Sequence, residues 1–239
     1  MSGFLPDEPG GGRPRSVCLR TMADAVFFVL KTGCPWRFLP VDFPPWTTVY
    51  RYFRRWERGG VVDRMHDVLR SIVRVREGKN PEPTAGIIDS QTVKSAPQAL
   101  DPIGYDGGKK VKGRKRHIVV DTLGMLIGLR VHAADVQDRD GAALVFEEME
   151  GHHPLLDVVF ADGGYGGPRA AAACPVDLVV VKRTEPSFAV LPKRWIVERT
   201  FAWLTQNRRL IKDYEGLASV SEAFIRLAMI RLMLRRIFG

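Results

Sequence analysis

The chain has 239 residues, 45% of them hydrophobic, and a formal net charge of +9. That apolar content excludes a disordered chain, no apolar run approaches the roughly 18 residues of a membrane span, and the surplus of cations points to a polyanionic partner. Three widely spaced cysteines, Cys18, Cys34 and Cys174, exclude a zinc site of usual spacing and suggest a reducing compartment. Net charge is +5 over residues 1–84, −2 over 85–192 and +6 over 193–239. A carboxylate-rich centre between basic flanks suits a metal site in a nucleic-acid-binding frame; a basic protein of ordinary kind is the alternative.

Residues 1–15 are rich in Gly and Pro, lack the apolar stretch of a signal peptide and read as a flexible arm. Ser16 as N-cap, and Gly33 with Pro35 as stops, bound a first helix with Met22, Val26, Val29 and Leu30 on its apolar positions. After a Pro-rich link, Thr47 or Thr48 caps a helix to Arg58. It interleaves Tyr50, Tyr52, Phe53 and Trp56 with Arg51, Arg54, Arg55 and Arg58. Gly59-Gly60 turns the chain into a third helix, Val61 to Glu77, with Met65, Val68, Leu69 and Ile72 inward. Three short helices with a basic, aromatic middle resemble a helix-turn-helix module. Its arginines are either duplex contacts or the solvated face of a trihelical core.

Past a linker at Lys79 to Pro83 the texture changes to strands. Thr84 to Ser90 is an apolar run ending in Asp89. Arg116 to Asp121 and Met125 to His132 flank a hairpin turn at Leu123-Gly124. Asp138 or Asp140 caps a helix to Glu150. Asp157 to Ala161 is a β-rich run that delivers Asp162 into a glycine-rich turn. A short helix, Arg169 to Cys174, and a strand, Asp177 to Val181, follow. From Lys193 the chain is helical again, with Val197, Phe201 and Leu204 as an apolar stripe beside Glu198. Ser219 and Glu222 fit a capping box for a last helix with Phe224, Leu227, Ala228 and Met233 inward. An antiparallel start followed by alternation predicts an α/β mixed sheet with helices on its faces.

Asp89 and Asp162 both end apolar β runs, and ligand sites of open α/β sheets gather at strand ends. If those strands are neighbours, both carboxylates emerge together and Glu198 can lean over them. Like charges so placed raise each other's pKa unless a divalent cation intervenes, and all-oxygen ligands suit Mg²⁺ or Mn²⁺. Two such ions serve in-line phosphoryl displacement. Singly, each acid has a bland reading: Asp89 as a turn cap with Ser90, Asp162 as a loop aspartate, Glu198 as half of a surface ion pair with Arg194. Asp121, Asp135, Asp138 and Asp140 read as structural, near a hairpin turn or a helix start.

Eight segments then carry a resemblance: GRPR at 12–15, TGCPWRFLP at 32–40, PPWTTVYRYFRRW at 44–56, IIDSQTVKSA at 87–96, KGRKRHIVVDTLG at 112–124, ADVQDRDGA at 134–142, FADGGYGG at 160–167 and RWIVERTFAWL at 194–204. The chain resembles bacterial DDE transposases of the insertion-sequence-five family, related to the insertion-sequence-four family, over nearly its whole length. The resemblance implies an RNase H-like catalytic domain over 84–239, after the arm at 1–15 and a helical DNA-binding region at 16–78. It puts the catalytic and metal-holding acids on Asp89, Asp162 and Glu198. The signature Y-x-x-R-x-x-x-E-x-x-x-x-x-x-K of those families is met by Arg194 and Glu198, but Leu191 stands for its Tyr and Thr205 for its Lys. Only 35 residues separate Asp162 from Glu198, too few for the large β insertion of some relatives.

The run from Lys109 to Arg116 holds six cations in eight residues. It is either a solvated hairpin edge or a set of phosphate contacts leading into the catalytic sheet. The DNA contacts expected are Arg51, Arg54, Arg55, Arg58, Lys94, Lys109, Lys110, Lys112, Arg114, Lys115, Arg116, Arg194, Arg199, Arg208 and Arg209. The resemblance thus implies a transposase that uses Mg²⁺ or Mn²⁺ to cut double-stranded DNA at its element's ends and join the 3′-hydroxyls to a target. A dimer or higher assembly on DNA and a cytoplasmic, nucleoid-associated location go with that reading. A nuclease on the same fold and an inactive DNA-binding derivative are the rivals.

Overall fold

The structure, a computed structural model, describes residues 17–181 and 194–239. The expectations for the arm at 1–15 and for Leu191 fall outside those residues; Ser16 as a cap is corrected, since Cys18 is the N-cap of the first helix. Helix α1 (Leu19–Thr32) ends where Gly33 adopts a left-handed conformation, φ 71°, and its N–H closes on Val29 O. Helix α2 (Trp46–Arg58) starts directly after Pro45, not at Thr47 or Thr48. Phe53 is fully buried, and its ring centroid lies 4.9 Å from that of Phe224. Burying such a side chain contributes about 2–3 kcal/mol.

Helix α3 (Val61–Arg76) corrects the expected phase. Val62, Met65, Leu69 and Val73 are buried, whereas Val68 is 41% and Ile72 37% exposed. Valines spread around this helix blur its apolar stripe. The phase is set by His66, Arg70 and Arg74, which are buried because they find partners: Arg74 pairs with Asp121, and Arg70 donates to His153 Nδ1 at 3.3 Å.

Among the described residues the sheet has six strands. Strand β1 (Ala85–Lys94) pairs antiparallel with β3 (Val111–Asp121), which carries β4 (Leu126–Ala133) and the short β2 (Gly104–Asp106) on its other side. On its second side β1 pairs in parallel with β5 (Val158–Ala161), and β5 with β6 (Asp177–Val180). Three antiparallel strands followed by two parallel ones, in spatial order β4-β3-β1-β5-β6, form the RNase H-like mixed sheet expected. Helix α4 (Asp138–Met149) begins after Gln137, and α5 (Pro168–Ala173) after Gly167. Both close one face of the sheet through Val145, Phe146, Met149 and Ala170, packed with Ile88 and Val119.

The other face is covered by α6 (Arg194–Thr205) and α7 (Ala218–Phe238), which share one apolar cluster with α1, α2 and α3. Val197, Phe201 and Leu204 are buried as their spacing predicts, and so are Phe224, Leu227, Ala228 and Met233. The capping box at Ser219 is corrected: the N-cap is Leu217, and Ser219 lies inside the helix. Glu222 instead accepts the Val131 N–H at 2.8 Å, so it satisfies the outer edge of β4. Among the described residues, no helix is long and apolar enough to cross a membrane.

Candidate active site

The pairing of β1 with β5 builds the site. Ile87 lies opposite Phe160 in the last parallel pair, so Asp89 and Asp162 both stand two steps beyond it. Asp162 follows the end of β5, but Asp89 does not end its strand as expected, because β1 runs on to Lys94 with Asp89 paired to Ile118. Beyond β5 the chain turns at once into a single 3-10 turn, Gly163–Tyr165, and Asp162 Oδ1 accepts the Gly164 N–H at 2.9 Å. That bond fixes one oxygen and leaves Oδ2 turned to Arg194, 3.6 Å away. Arg194 Nε is also 3.2 Å from Glu198 Oε1, one turn along α6. One guanidinium thus links the second and third acids.

Helix α6 is held at this place by the β3–β4 hairpin. Thr200 donates to Gly124 O at 2.9 Å, and Arg199 to Leu123 O at 3.2 Å. Gly124, φ 83°, is required here: a Cβ would stand 2.8 Å from Thr200 Oγ1 and 2.9 Å from the Trp203 ring. Arg199 lies between the rings of Trp195 and Trp203, 4.5 Å from each centroid, so its charge stacks on α6 rather than facing the acids.

Burial pushes the Asp89 carboxyl up to about 6; the Ser90 N–H and Arg194 pull it down, while Asp162 and Asp138 add to the rise. Asp138, expected to be structural, is part of this surround. Its Oδ1 accepts from Ser90 Oγ at 2.8 Å and from Lys115 Nζ at 3.0 Å. Burial raises the Asp138 carboxyl, but those two hydrogen bonds and the Lys115 charge outweigh it and hold the group below the usual range. Asp121, by contrast, is a scaffold: it is fully buried, paired with Arg74, and accepts the N–H groups of Leu123 and Met125 at 2.9 Å.

Asp89, Asp162 and Glu198 offer only oxygen donors, a set suited to a hard divalent cation. The raised pKa of Asp89 marks a carboxylate whose charge lacks compensation from the protein, which such a cation would supply. Among the described residues no group of three or more His, Cys, Asp or Glu side chains stands close enough to hold a metal by itself. Arg194 occupies the space between two of the three acids.

The expected phosphate contacts divide. Arg51, Arg55, Arg58, Lys94, Lys109, Lys110, Lys112 and Arg208 are exposed. Arg51 and Arg58 line a cleft of about 660 Å³ with Tyr50 and Leu217, although Arg54 between them is turned to Glu57 at 3.3 Å. Arg114, Lys115, Arg116 and Arg209 are a correction: all four are buried, the first three because β3 begins at Val111 and draws them into the sheet, and Arg209 because a 3-10 turn after α6 points it at Glu215. Arg114 staples three segments, donating to Leu100 O and Gly216 O at 2.7 Å and to Asp213 Oδ2 at 3.2 Å. Arg116 donates to Leu210 O at 2.8 Å, and Arg209 pairs with Glu215 at 2.6 Å. Alternation along a strand could not reveal this, since cations occupy inward and outward positions alike.

Reading for carboxylates missed a polar chain beside them. His117 Nδ1 and His132 Nε2 are 2.9 Å apart, and His117 Nε2 is 2.8 Å from the Tyr165 hydroxyl. Three buried polar residues in apolar strands and a glycine-rich turn are the only signal the sequence offered.

Residues 80–233 match the family described as "Transposase DDE domain", and residues 1–66 match "Putative transposase of IS4/5 family (DUF4096)". The chain is 34% identical over 126 residues to "Putative transposase for insertion sequence element IS402" of Burkholderia cepacia, covering 48% of this chain and 60% of that protein. It is 29% identical over 96 residues to "Insertion element IS402 uncharacterized 16.2 kDa protein" of the same organism, 35% of this chain and 64% of that one. It therefore spans less than two thirds of either relative. The Mos1 strand transfer complex superposes on 97% of this chain and 79% of its own with 10% identity and a TM-score of 0.31, a likeness too distant to carry an argument.

Proposed function

Because the chain belongs to the family of transposase DDE domains, we propose that it is the transposase of an insertion sequence, with Asp89, Asp162 and Glu198 as its catalytic acids. It binds the terminal inverted repeats of its element, cleaves phosphodiester bonds at the ends and joins the freed 3′-hydroxyls to target DNA. The observation that carries this reading is the parallel register of β1 and β5, which sets Asp89 and Asp162 at equal steps beyond their last parallel pair, with Arg194 reaching from Asp162 to Glu198.

Divalent-metal dependence comes with this family, and Mg²⁺, with Mn²⁺ as substitute, is the ion we assign. Bound by the three acids, it would activate the attacking oxygen and stabilise the leaving one. The protein's own groups do the rest. Asp162, with one oxygen fixed by Gly164, presents the other to the cleft. Arg194, half-exposed, can turn from its carboxylates to a phosphate oxygen, for which its planar fork is suited. Exposed Arg51, Arg55 and Arg58 on α2, with Lys94, Lys109, Lys110, Lys112 and Arg208, supply sequence-independent backbone contacts. In this scheme residues 16–78 form the DNA-binding region and 84–239 the catalytic domain, with 1–15 as an arm. Two ends must be held together, so at least a dimer acts on DNA, in the cytoplasm at the nucleoid.

A strand-transfer assay with pre-cut terminal-repeat DNA and Mg²⁺ tests this. Joined product supports the transposase. Cleavage without joining under the same conditions would make the chain a nuclease, and binding without either would make it a DNA-binding derivative.

A further inference from the structure

The turn after β5 carries Asp162, and its last residue, Tyr165, is nearly fully buried. The directions of the hydrogen bonds around it follow from one fixed acceptor. Ala133 O can only accept, so His132 Nδ1, 2.9 Å away, carries the proton. In a neutral ring His132 Nε2 then has a lone pair, and His117 Nδ1 donates to it. His117 Nε2 is left as an acceptor, and the Tyr165 O–H donates to it. Burial supports the neutral state of both rings, since it lowers His117 and His132 alike. Every proton in the chain has one place.

This hydrogen-bonded chain lies beside both strands that carry the aspartates. His117 sits opposite Ser90 in the β1–β3 register, and Ser90 follows Asp89. The Ser90 hydroxyl bonds Asp138 and also lies beside that of Tyr165. Helix α4 leaves room for the imidazoles only because residue 141 is glycine: a Cβ there would stand 2.5 Å from His117 Nδ1 and 2.7 Å from His132 Nε2. The network therefore runs from β4 through β3 to the turn that carries Asp162, with Asp89 at its side.

We infer that Tyr165, held by His117 and His132, is a positioning residue that sets Asp162 against Asp89 for divalent-cation binding. The inference rests on the proposed role of the three acids. Partners that orient metal ligands act on affinity without touching the ion, and their loss weakens binding about 10–100-fold. Tyr165→Phe keeps the ring and removes the hydroxyl, and with it the bond to His117 and the contact with Ser90. Gly141→Ala displaces the imidazoles from the opposite side and alters no polar group.

The test is titration of the full-length protein with Mn²⁺ alone, read by calorimetry, with thermal melting on the same samples and Asp162→Asn as control. Both Tyr165→Phe and Gly141→Ala are expected to bind Mn²⁺ about tenfold more weakly while melting cooperatively within a few degrees of the parent, and end cleavage by Tyr165→Phe should recover as Mn²⁺ is raised. Wild-type affinity in both variants, with loss in Asp162→Asn, overturns the positioning role. So does a loss that tracks global unfolding, which would make the network purely structural. If Asp162→Asn itself binds Mn²⁺ as the parent does, the failure lies with the assignment of the acids.

Discussion

Asp89 and Asp162 stand at equal steps beyond Ile87 and Phe160, the last paired residues of neighbouring parallel strands. Strand side chains alternate, so a slip of one residue would send one carboxylate to the opposite face. The register thus matters more to the site than either strand's sequence does.

Asp89 carries the cost of this placement. Its folded pKa, about 6, is above its unfolded value of 3.8. The folded state therefore holds the extra proton between those values, and stability falls as pH rises through that window. At pH 8 the charged group costs about 2–3 kcal/mol. Asp89→Asn should raise unfolding free energy by up to that amount at pH 8 in the presence of a chelator, and by nearly nothing at pH 4. Urea denaturation at the two pH values checks this; an equal effect at both would contradict it.

His117 has the opposite sign. Burial, helped by His132, lowers it from 6.5 to about 3. Below pH 6.5 the unfolded chain binds a proton that the folded chain refuses, so this contribution is complete above 6.5 and is lost progressively toward pH 3. Nitrogen-15 shifts of the ring at pH 5 should show a neutral imidazole protonated at Nδ1. An imidazolium at that pH is the contrary result.

Arg194 bridges Asp162 and Glu198 at half-exposed positions, and such pairs contribute little to stability, about 0–1 kcal/mol. Arg194→Met should leave the melting temperature within about 2 °C yet lower single-turnover cleavage by about 10²–10³, the range for removing one oriented donor to a reacting oxyanion. A large stability loss, or an unchanged rate, would refute this division of roles.

Arg114 and Arg58 separate interior from surface cations. Arg114→Met leaves the buried Asp213 carboxylate without its partner and should cost about 3–5 kcal/mol in denaturant unfolding. Arg58→Ala, at an exposed site, should change stability by less than about 0.5 kcal/mol and reduce the salt dependence of DNA binding by about one unit of slope. The reverse pattern would place the phosphate contact on β3.

The placement of the three acids was legible from strong apolar patterns, a β run before Asp89 and Asp162 and a stripe beside Glu198, though the continuation of β1 past Asp89 to Lys94 was not. The chain order of five strands was legible for the same reason, but the short β2 and the pairing of β1 with β5 were not, because neither has a local pattern. The phase of α3 was not, because Val68, Ile72 and Val75 make a second apolar row on its exposed side. Nor was the fate of the basic run, because a cation buried for its hydrogen bonds looks in sequence like one that faces DNA. Asp138 and the His117–Tyr165 chain depend on contacts between residues 48 positions apart, for Ser90 with Asp138 and His117 with Tyr165 alike, and no local pattern announces such pairs.

The central claim is that Asp89, Asp162 and Glu198 act together on DNA ends. Its most direct measurement is single-turnover cleavage of the element's own terminal-repeat DNA in Mg²⁺ by Asp162→Asn, with DNA affinity measured in parallel. The account predicts a rate lower by about 10³ or more, since loss of metal-ion stabilisation removes several kcal/mol, and a Kd within a few-fold of the parent. Cleavage at the parental rate would contradict it.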